Sequence, residues 1–167
     1  MKKIAIITGA SRGIGAATAS RFLTEQYQVI NLSRTQHADK RVRNIGTDLA
    51  DPAFVESLRN SLPPQLDAVD SICLIHNAAL YTLDTVETLD TTALAAIFQV
   101  NVVASLQINQ LLLPLMPRGS SILYVGSTLS EKAVAGCCGY ITSKHAVAGL
   151  MRATCQDLIG RSIHTAC

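Results

Sequence analysis

The chain is expected to fold as a single three-layer α/β/α domain around a doubly wound parallel sheet. Three observations predict this. Short β-branched apolar runs recur along the chain, of the kind that form strands buried on both faces. Segments with helical spacing alternate with them, and strands alternating with helices call for a parallel sheet covered on both sides. Between the first run and the first helical segment lies a glycine-rich turn. With 167 residues there is room for one well-buried core, and no repeat, linker or low-complexity tract divides it.

Taken in order, Lys3 to Thr8 reads as the first strand. The helix after the glycine turn is expected to face Ile14, Ala17 and Phe22 inward. Gln28 to Ser33 and Val42 to Thr47 supply the next two strands. Asp51 and Pro52 mark a capped helix start, and Pro63-Pro64 ends that helix after about Ser61. Ser71 to His76 is the fourth strand. A long uncharged helix from Thr91 to Met116 follows, then a fifth strand from Ser121 to Gly126, a helix from Gly139 to Ile159, and the beginning of a sixth strand at Ile163 to Cys167.

Composition narrows the function. The formal net charge is +2 and charged residues make up 16%, which leaves no basic stripe for nucleic acid. The apolar run after Lys2 and Lys3 is too short for a signal peptide and is broken by Gly9 and Arg12. Residues 91–117 lack charge, but Gln99, Asn101, Gln107, Asn109, Gln110, Pro114 and Pro117 interrupt them too often for a bilayer span. Five cysteines show no metal-ligand or CxxC spacing, so reduced thiols in a cytoplasmic protein without a metal are expected.

Three motifs carry chemistry. The first is Thr8-Gly9-Ala10-Ser11-Arg12-Gly13-Ile14-Gly15, between a strand and a helix. Glycines there permit a tight turn and close approach of backbone to a pyrophosphate, which the free N–H groups of the helix start can hold. The second is Ser33-Arg34 at the end of the second strand. A dinucleotide site for NAD usually has an acidic residue there for the ribose 2′-hydroxyl. Arg34 together with Arg12 suits a 2′-phosphate instead. The third is Tyr140-Ile141-Thr142-Ser143-Lys144, with Ser127 thirteen residues before Tyr140. Tyr140 and Lys144 share a helix face, and a cation near a phenol favours its ionised form.

Together, TGxxxGxG, Asn101, Ser127 and YxxxK resemble, in order and spacing, the short-chain dehydrogenase/reductase family, whose fold is Rossmann-like. Asp48 after the third strand resembles its adenine-contacting acid, and His76-Asn77-Ala78-Ala79 resembles its Asn-Asn-Ala-Gly turn, departing from it at His76 and Ala79. The resemblance implies a catalytic set of Asn101, Ser127, Tyr140 and Lys144. Tyr140 would be the general acid, Lys144 would assist it and hold the nicotinamide ribose, Ser127 would hydrogen-bond the carbonyl oxygen, and Asn101 would hold a water in a proton relay. Gly9, Ser11, Arg12, Gly13, Ile14 and Gly15 would line the diphosphate, with Arg34 at the 2′-phosphate, Asp48 at the adenine and Asn77 near the adenosine ribose.

The resulting expectation is an NADP(H)-preferring oxidoreductase, with NAD possible, that interconverts a ketone or aldehyde and an alcohol. A homodimer or homotetramer is expected, since the helix from Thr91 is apolar nearly all round and that of Tyr140 offers small residues for close approach. A non-catalytic dinucleotide-binding protein is one rival. An inactive fragment of a longer reductase is another. The resembling family continues through a Pro-Gly wall and a substrate loop, so the last elements of the domain are expected to be missing, and the 167-residue chain to bind cofactor weakly and turn over poorly.

Overall fold

The computed structural model describes residues 1–167. Six strands form one sheet: β1 (Lys3–Thr8), β2 (Gln28–Ser33), β3 (Arg43–Gly46), β4 (Ser71–His76), β5 (Ser121–Tyr124) and β6 (His164–Ala166). Every pairing is parallel and the spatial order is β3-β2-β1-β4-β5-β6. The chain winds outward from β1 in one direction and then, from β4 on, in the other. The switch between β1 and β4 opens a crevice at the carboxyl ends of the strands, where open sheets of this kind place ligands.

Alternation along β1 shows why the sheet must be covered twice. Ile4 and Ile6 join a core shared with α2 (Phe54–Ser61), α4 (Ala104–Leu112) and α5 (Cys138–Asp157), while Ala5 and Ile7 face α1 (Gly13–Thr24). Each fully buried isoleucine contributes on the order of 1.5–3 kcal/mol relative to exposure. Coverage is unequal: α1 alone packs the second face, and Leu123 and Val125 there stay partly exposed.

Several elements differ from the sequence expectation. The inward face of α1 begins one residue later than foreseen: Gly15 and Ala19 are buried, whereas Ile14 is 67% exposed and Ala17 lies outside. Only a residue without a side chain fits against the strand end, so Gly15 sets the helix rotation. The capped turn at Asp51 accepts from the Ala53 N–H at 2.9 Å, and α2 starts only at Phe54.

The helix from Thr91 runs to Leu115, but not as one ideal rod. Asp90 caps its start by accepting from the Ala93 N–H at 2.8 Å. α3 (Thr91–Phe98) then passes through one turn of π-helix at Gln99–Val103 into α4, and a 3₁₀ turn at Leu113–Leu115 closes it. By length and composition this stretch could span a bilayer. In the fold it lies against the sheet through Ala104, Ile108 and Leu112, while Ile97 packs at Gly139 of α5; all four are fully buried.

Candidate active site

Five strand ends converge on the crevice. Behind β1, Gly9 takes φ +67° and Gly13 +57°, a region side chains rarely occupy. At Gly15 the constraint is space: a Cβ would lie 2.4 Å from the Gly9 carbonyl oxygen and 2.5 Å from Asn77 Nδ2. The turn is fastened from below. Asn31, in the middle of β2 and fully buried, accepts from the Ala10 N–H at 2.9 Å and donates to the Thr35 carbonyl and to Asn44 Oδ1. Thr8 Oγ1 accepts from the Asn77 and Ala78 N–H groups at 2.9 and 3.0 Å. Asn77 Nδ2 donates back to the Thr8 and Gly9 carbonyls. Asn31 carries no role in the sequence reading, and Thr8 enters it only as the first residue of the glycine motif. The signal was available, since a polar side chain inside an apolar strand needs partners.

These elements wall a cleft of about 750 Å³. Gly9, Ser11, Arg12, Gly13, Ile14, Arg34, Asp48 and Asn77, foreseen as cofactor contacts, all line it. Gly15 does not; it packs beneath, and Tyr140 and Lys144, also expected at the cofactor, lie outside this lining. Arg12 and Arg34 are exposed and take part in none of the three ion pairs of the fold, which join Arg21 to Glu25, Arg41 to Asp39 and Arg59 to Glu56. The side chain of Arg12 precedes α1 without capping it, so the first N–H groups of that helix keep no side-chain partner. A pyrophosphate fits this donor set: glycine backbone and an uncapped helix start, with two unpaired guanidinium groups beside them.

Beyond the β4–β5 pair lies the second group of residues. Tyr140 and Lys144 stand one turn apart on α5. Lys144 is only 4% exposed. Its ammonium donates to the Val125 carbonyl at 2.8 Å and lies 5.7 Å from the centre of the Tyr140 ring. Burial lowers the Lys144 pKa from the ordinary lysine value. Ser127 follows Val125 by two residues and accepts from the Leu129 N–H at 3.1 Å. The 3₁₀ turn behind it (Thr128–Ser130) packs on α5. Ser127, Tyr140 and Lys144 are thus gathered at the end of β5, and none of the three hydrogen-bonds another.

Asn101 sits in the π-turn and is buried. Its side chain accepts from the Leu80 N–H at 2.7 Å and donates to the Leu80 carbonyl and to Ser143 Oγ. Both amide donors are therefore taken, and a water held by Asn101 has only acceptor atoms to bind. His76, left without a role in the sequence, lies inside the fold. Its Nε2 is 2.8 Å from Asn109 Oδ1, Asn109 donates to the Tyr124 hydroxyl at 2.6 Å, and that hydroxyl meets Thr154 Oγ1 at 3.1 Å. Burial pushes the His76 pKa down to about 4, against the hydrogen bond to Asn109.

A family model for short chain dehydrogenases matches residues 3–167. The chain is 32% identical to the ketoacyl reductase HetN of Nostoc sp., over 97% of this chain and 60% of that protein. It is also similar to an uncharacterized oxidoreductase of Mycobacterium tuberculosis, at 29% identity over 95% of this chain and 65% of that protein. The chain therefore spans less than two thirds of the length of these two relatives. Among solved structures, a short-chain dehydrogenase/reductase from Serratia marcescens superposes with TM-score 0.86 at 32% identity, covering 98% of this chain and 75% of that one. A blue fluorescent protein from a metagenomic library, solved in complex with NADPH, superposes with TM-score 0.87 at 29% identity, covering 98% and 71%.

Proposed function

Because the chain belongs to the short-chain dehydrogenase/reductase family, we propose that it is an NADP(H)-dependent oxidoreductase that interconverts a ketone or aldehyde and an alcohol. The observation that carries this reading is the buried Lys144 ammonium, tied to a strand-end carbonyl one helical turn from Tyr140. A buried cation is costly unless it has work to do or partners to hold, and here it lies 5.7 Å from the centre of a phenol ring at the carboxyl end of the sheet.

Arg12 and Arg34 hold the 2′-phosphate, the glycine turn and the start of α1 hold the diphosphate, Asp48 meets the adenine, and Asn77 lies along the adenosine ribose. When bound, the nicotinamide supplies the hydride. Tyr140 donates a proton to the carbonyl oxygen, Ser127 hydrogen-bonds that oxygen, and Lys144 stabilises the phenolate left behind. Asn101 positions the set by tying the Leu80 turn to α5 through Ser143, and its remaining acceptor atoms can hold a water on the proton path.

The same helices suit a homodimer or homotetramer. Val103 and Leu106 on the outer face of the α3–α4 helix are 38% and 43% exposed, and apolar residues in such positions favour a second copy.

The test is a titration of NADPH and NADH followed by turnover against a carbonyl panel. NADPH should bind more tightly, and nicotinamide absorbance should fall on addition of a carbonyl. Tighter NADH binding would overturn the cofactor assignment. Cofactor binding without turnover, in this chain and in a version extended toward the length of its relatives, would favour a non-catalytic binding protein. Turnover only in the extended version would mark the 167-residue chain as an inactive fragment. Light scattering that shows a monomer at micromolar concentration would remove the assembly.

A further inference from the structure

Tyr81 has no part in the dinucleotide cleft or the serine–tyrosine–lysine set, yet it is built against Tyr140. The two rings meet edge to face, with centroids 5.0 Å apart and planes at 72°. The Tyr81 hydroxyl lies 3.2 Å from the Sγ of Cys137, a buried residue three positions before Tyr140. That contact raises the Tyr81 pKa from the ordinary tyrosine value, so the phenol stays neutral.

The segment that carries Tyr81 is held at both ends. Before it, both backbone groups of Leu80 bond to the Asn101 amide. After it, the Asp84 N–H donates to the Gly136 carbonyl at 3.1 Å, the Asp84 carbonyl accepts from the Cys138 N–H, and Asp84 Oδ1 accepts from the Gly139 N–H at 2.8 Å. A ring clamped this firmly is nonetheless 54% exposed, and Leu83 and Val134 on the same paired segments are 79% and 51% exposed. Residues 77–83 and 133–140 carry no formal charge. Asp84, the carboxylate at which the two segments pair, is occupied by the start of α5.

We propose that Tyr81 is a specificity-determining wall of the substrate site, and that the site takes neutral carbonyl compounds with a flat apolar substituent, an aryl or cyclic group, which packs on the open face of Tyr81 while the carbonyl reaches Tyr140. This rests on the oxidoreductase reading above. An anionic substrate would find no exposed counter-charge on these segments. A flat apolar group finds a fixed aromatic surface, which favours it over an aliphatic one of similar polarity.

The test uses the full chain saturated with NADP+, titrated by calorimetry with acetophenone and with butanone. Acetophenone should bind at least tenfold more tightly. Tyr81→Ala should weaken acetophenone roughly tenfold and leave butanone within twofold. Tyr81→Phe keeps the ring and should retain the preference, and NADP+ affinity should be unchanged in both variants. Equal binding of the two ketones by the wild type, or a Tyr81→Ala effect that is equal on both, overturns the wall. Failure of the cofactor reading looks different: NADP+ itself does not bind, and the same ketone titration without it still reports on Tyr81.

Discussion

The two halves of the crevice are held together in different ways. On the adenosine side the parts are backbone: a glycine turn, three strand ends and a helix start, pinned by Asn31, Thr8 and Asn77, with every side-chain donor and acceptor group of Asn31 in use. On the side of Tyr140 the parts are side chains, Ser127, Tyr140 and Lys144, that share no hydrogen bond and are held by the Val125 segment and α5, with the Lys144 ammonium 5.7 Å from the Tyr140 ring centre. Substitutions in the first half should act through shape. Substitutions in the second should act on chemistry and leave shape alone.

The largest effect expected is a break in the second half that spares the first. Tyr140→Phe keeps the ring against Tyr81 and removes only the hydroxyl. Turnover, in this chain or in an extended version, should fall by roughly 10²–10⁴-fold, the usual contribution of a general acid, while NADPH affinity stays within twofold. A parallel loss of cofactor binding would show that the halves are not separable.

The converse break is Gly15→Ala. The new methyl would sit 2.4 Å from the Gly9 carbonyl oxygen and 3.0 Å from Ala10 Cα, and backbone cannot swing aside as a flexible side chain can. Overpacking of this kind costs on the order of 1–3 kcal/mol, and the upper end is expected. The melting temperature and NADPH affinity should drop together. An unchanged melting temperature would mean that the turn relaxes without cost.

Arg34→Ala sharpens the comparison within the first half, because it removes charge without touching the turn. Loss of a charge-assisted phosphate contact costs on the order of 1.5–3 kcal/mol, so NADPH should weaken roughly tenfold to a hundredfold. NADH should be nearly unaffected. Equal weakening of both cofactors would place Arg34 on the shared diphosphate rather than the 2′-phosphate.

β1 and β4 were legible because each is a nearly continuous apolar run between turn residues; β1, β2 and β4 have the foreseen bounds. The cleft was legible too, since its residues follow strand ends and strand ends follow from the runs. The rotation of α1 was misread. Hydrophobicity nominates Ile14 for the core, whereas the close approach of Gly15 to Gly9 and Asn77 turns Ile14 into the crevice, a constraint that appears only once two distant segments are placed together. Tyr81 and His76 were opaque for the same reason. The first gains its meaning from Cys137 and Tyr140, the second from Asn109, Tyr124 and Thr154, and no local spacing announces such partners.

His76 offers the smallest test of the comparison, because it is the catalytic side's counterpart to Asn31. Both are buried polar residues on central strands. Asn31 is fully satisfied, whereas His76 leaves Nδ1 buried without a partner, and its ring lies tilted on Tyr124 at 4.8 Å. With a folded pKa of about 4 against an ordinary 6.5, the folded protein resists a proton that the unfolded chain accepts. The unfolded state therefore binds more protons between those values, and stability must rise with pH across that window and fall as pH drops through it. From pH 7 to pH 5 the loss assigned to this one residue is about 2 kcal/mol. Urea unfolding at the two pH values should show it, and His76→Asn, which cannot take up a proton, should flatten the difference by that amount. The position of His76 between β4 and α4 predicts that the α4–β5–α5 side loosens first on acidification, with amide exchange rising in α5 before α1. A slope that survives in His76→Asn would move the acid sensitivity to other groups, and the asymmetry in how the two halves are supported would lose its thermodynamic expression.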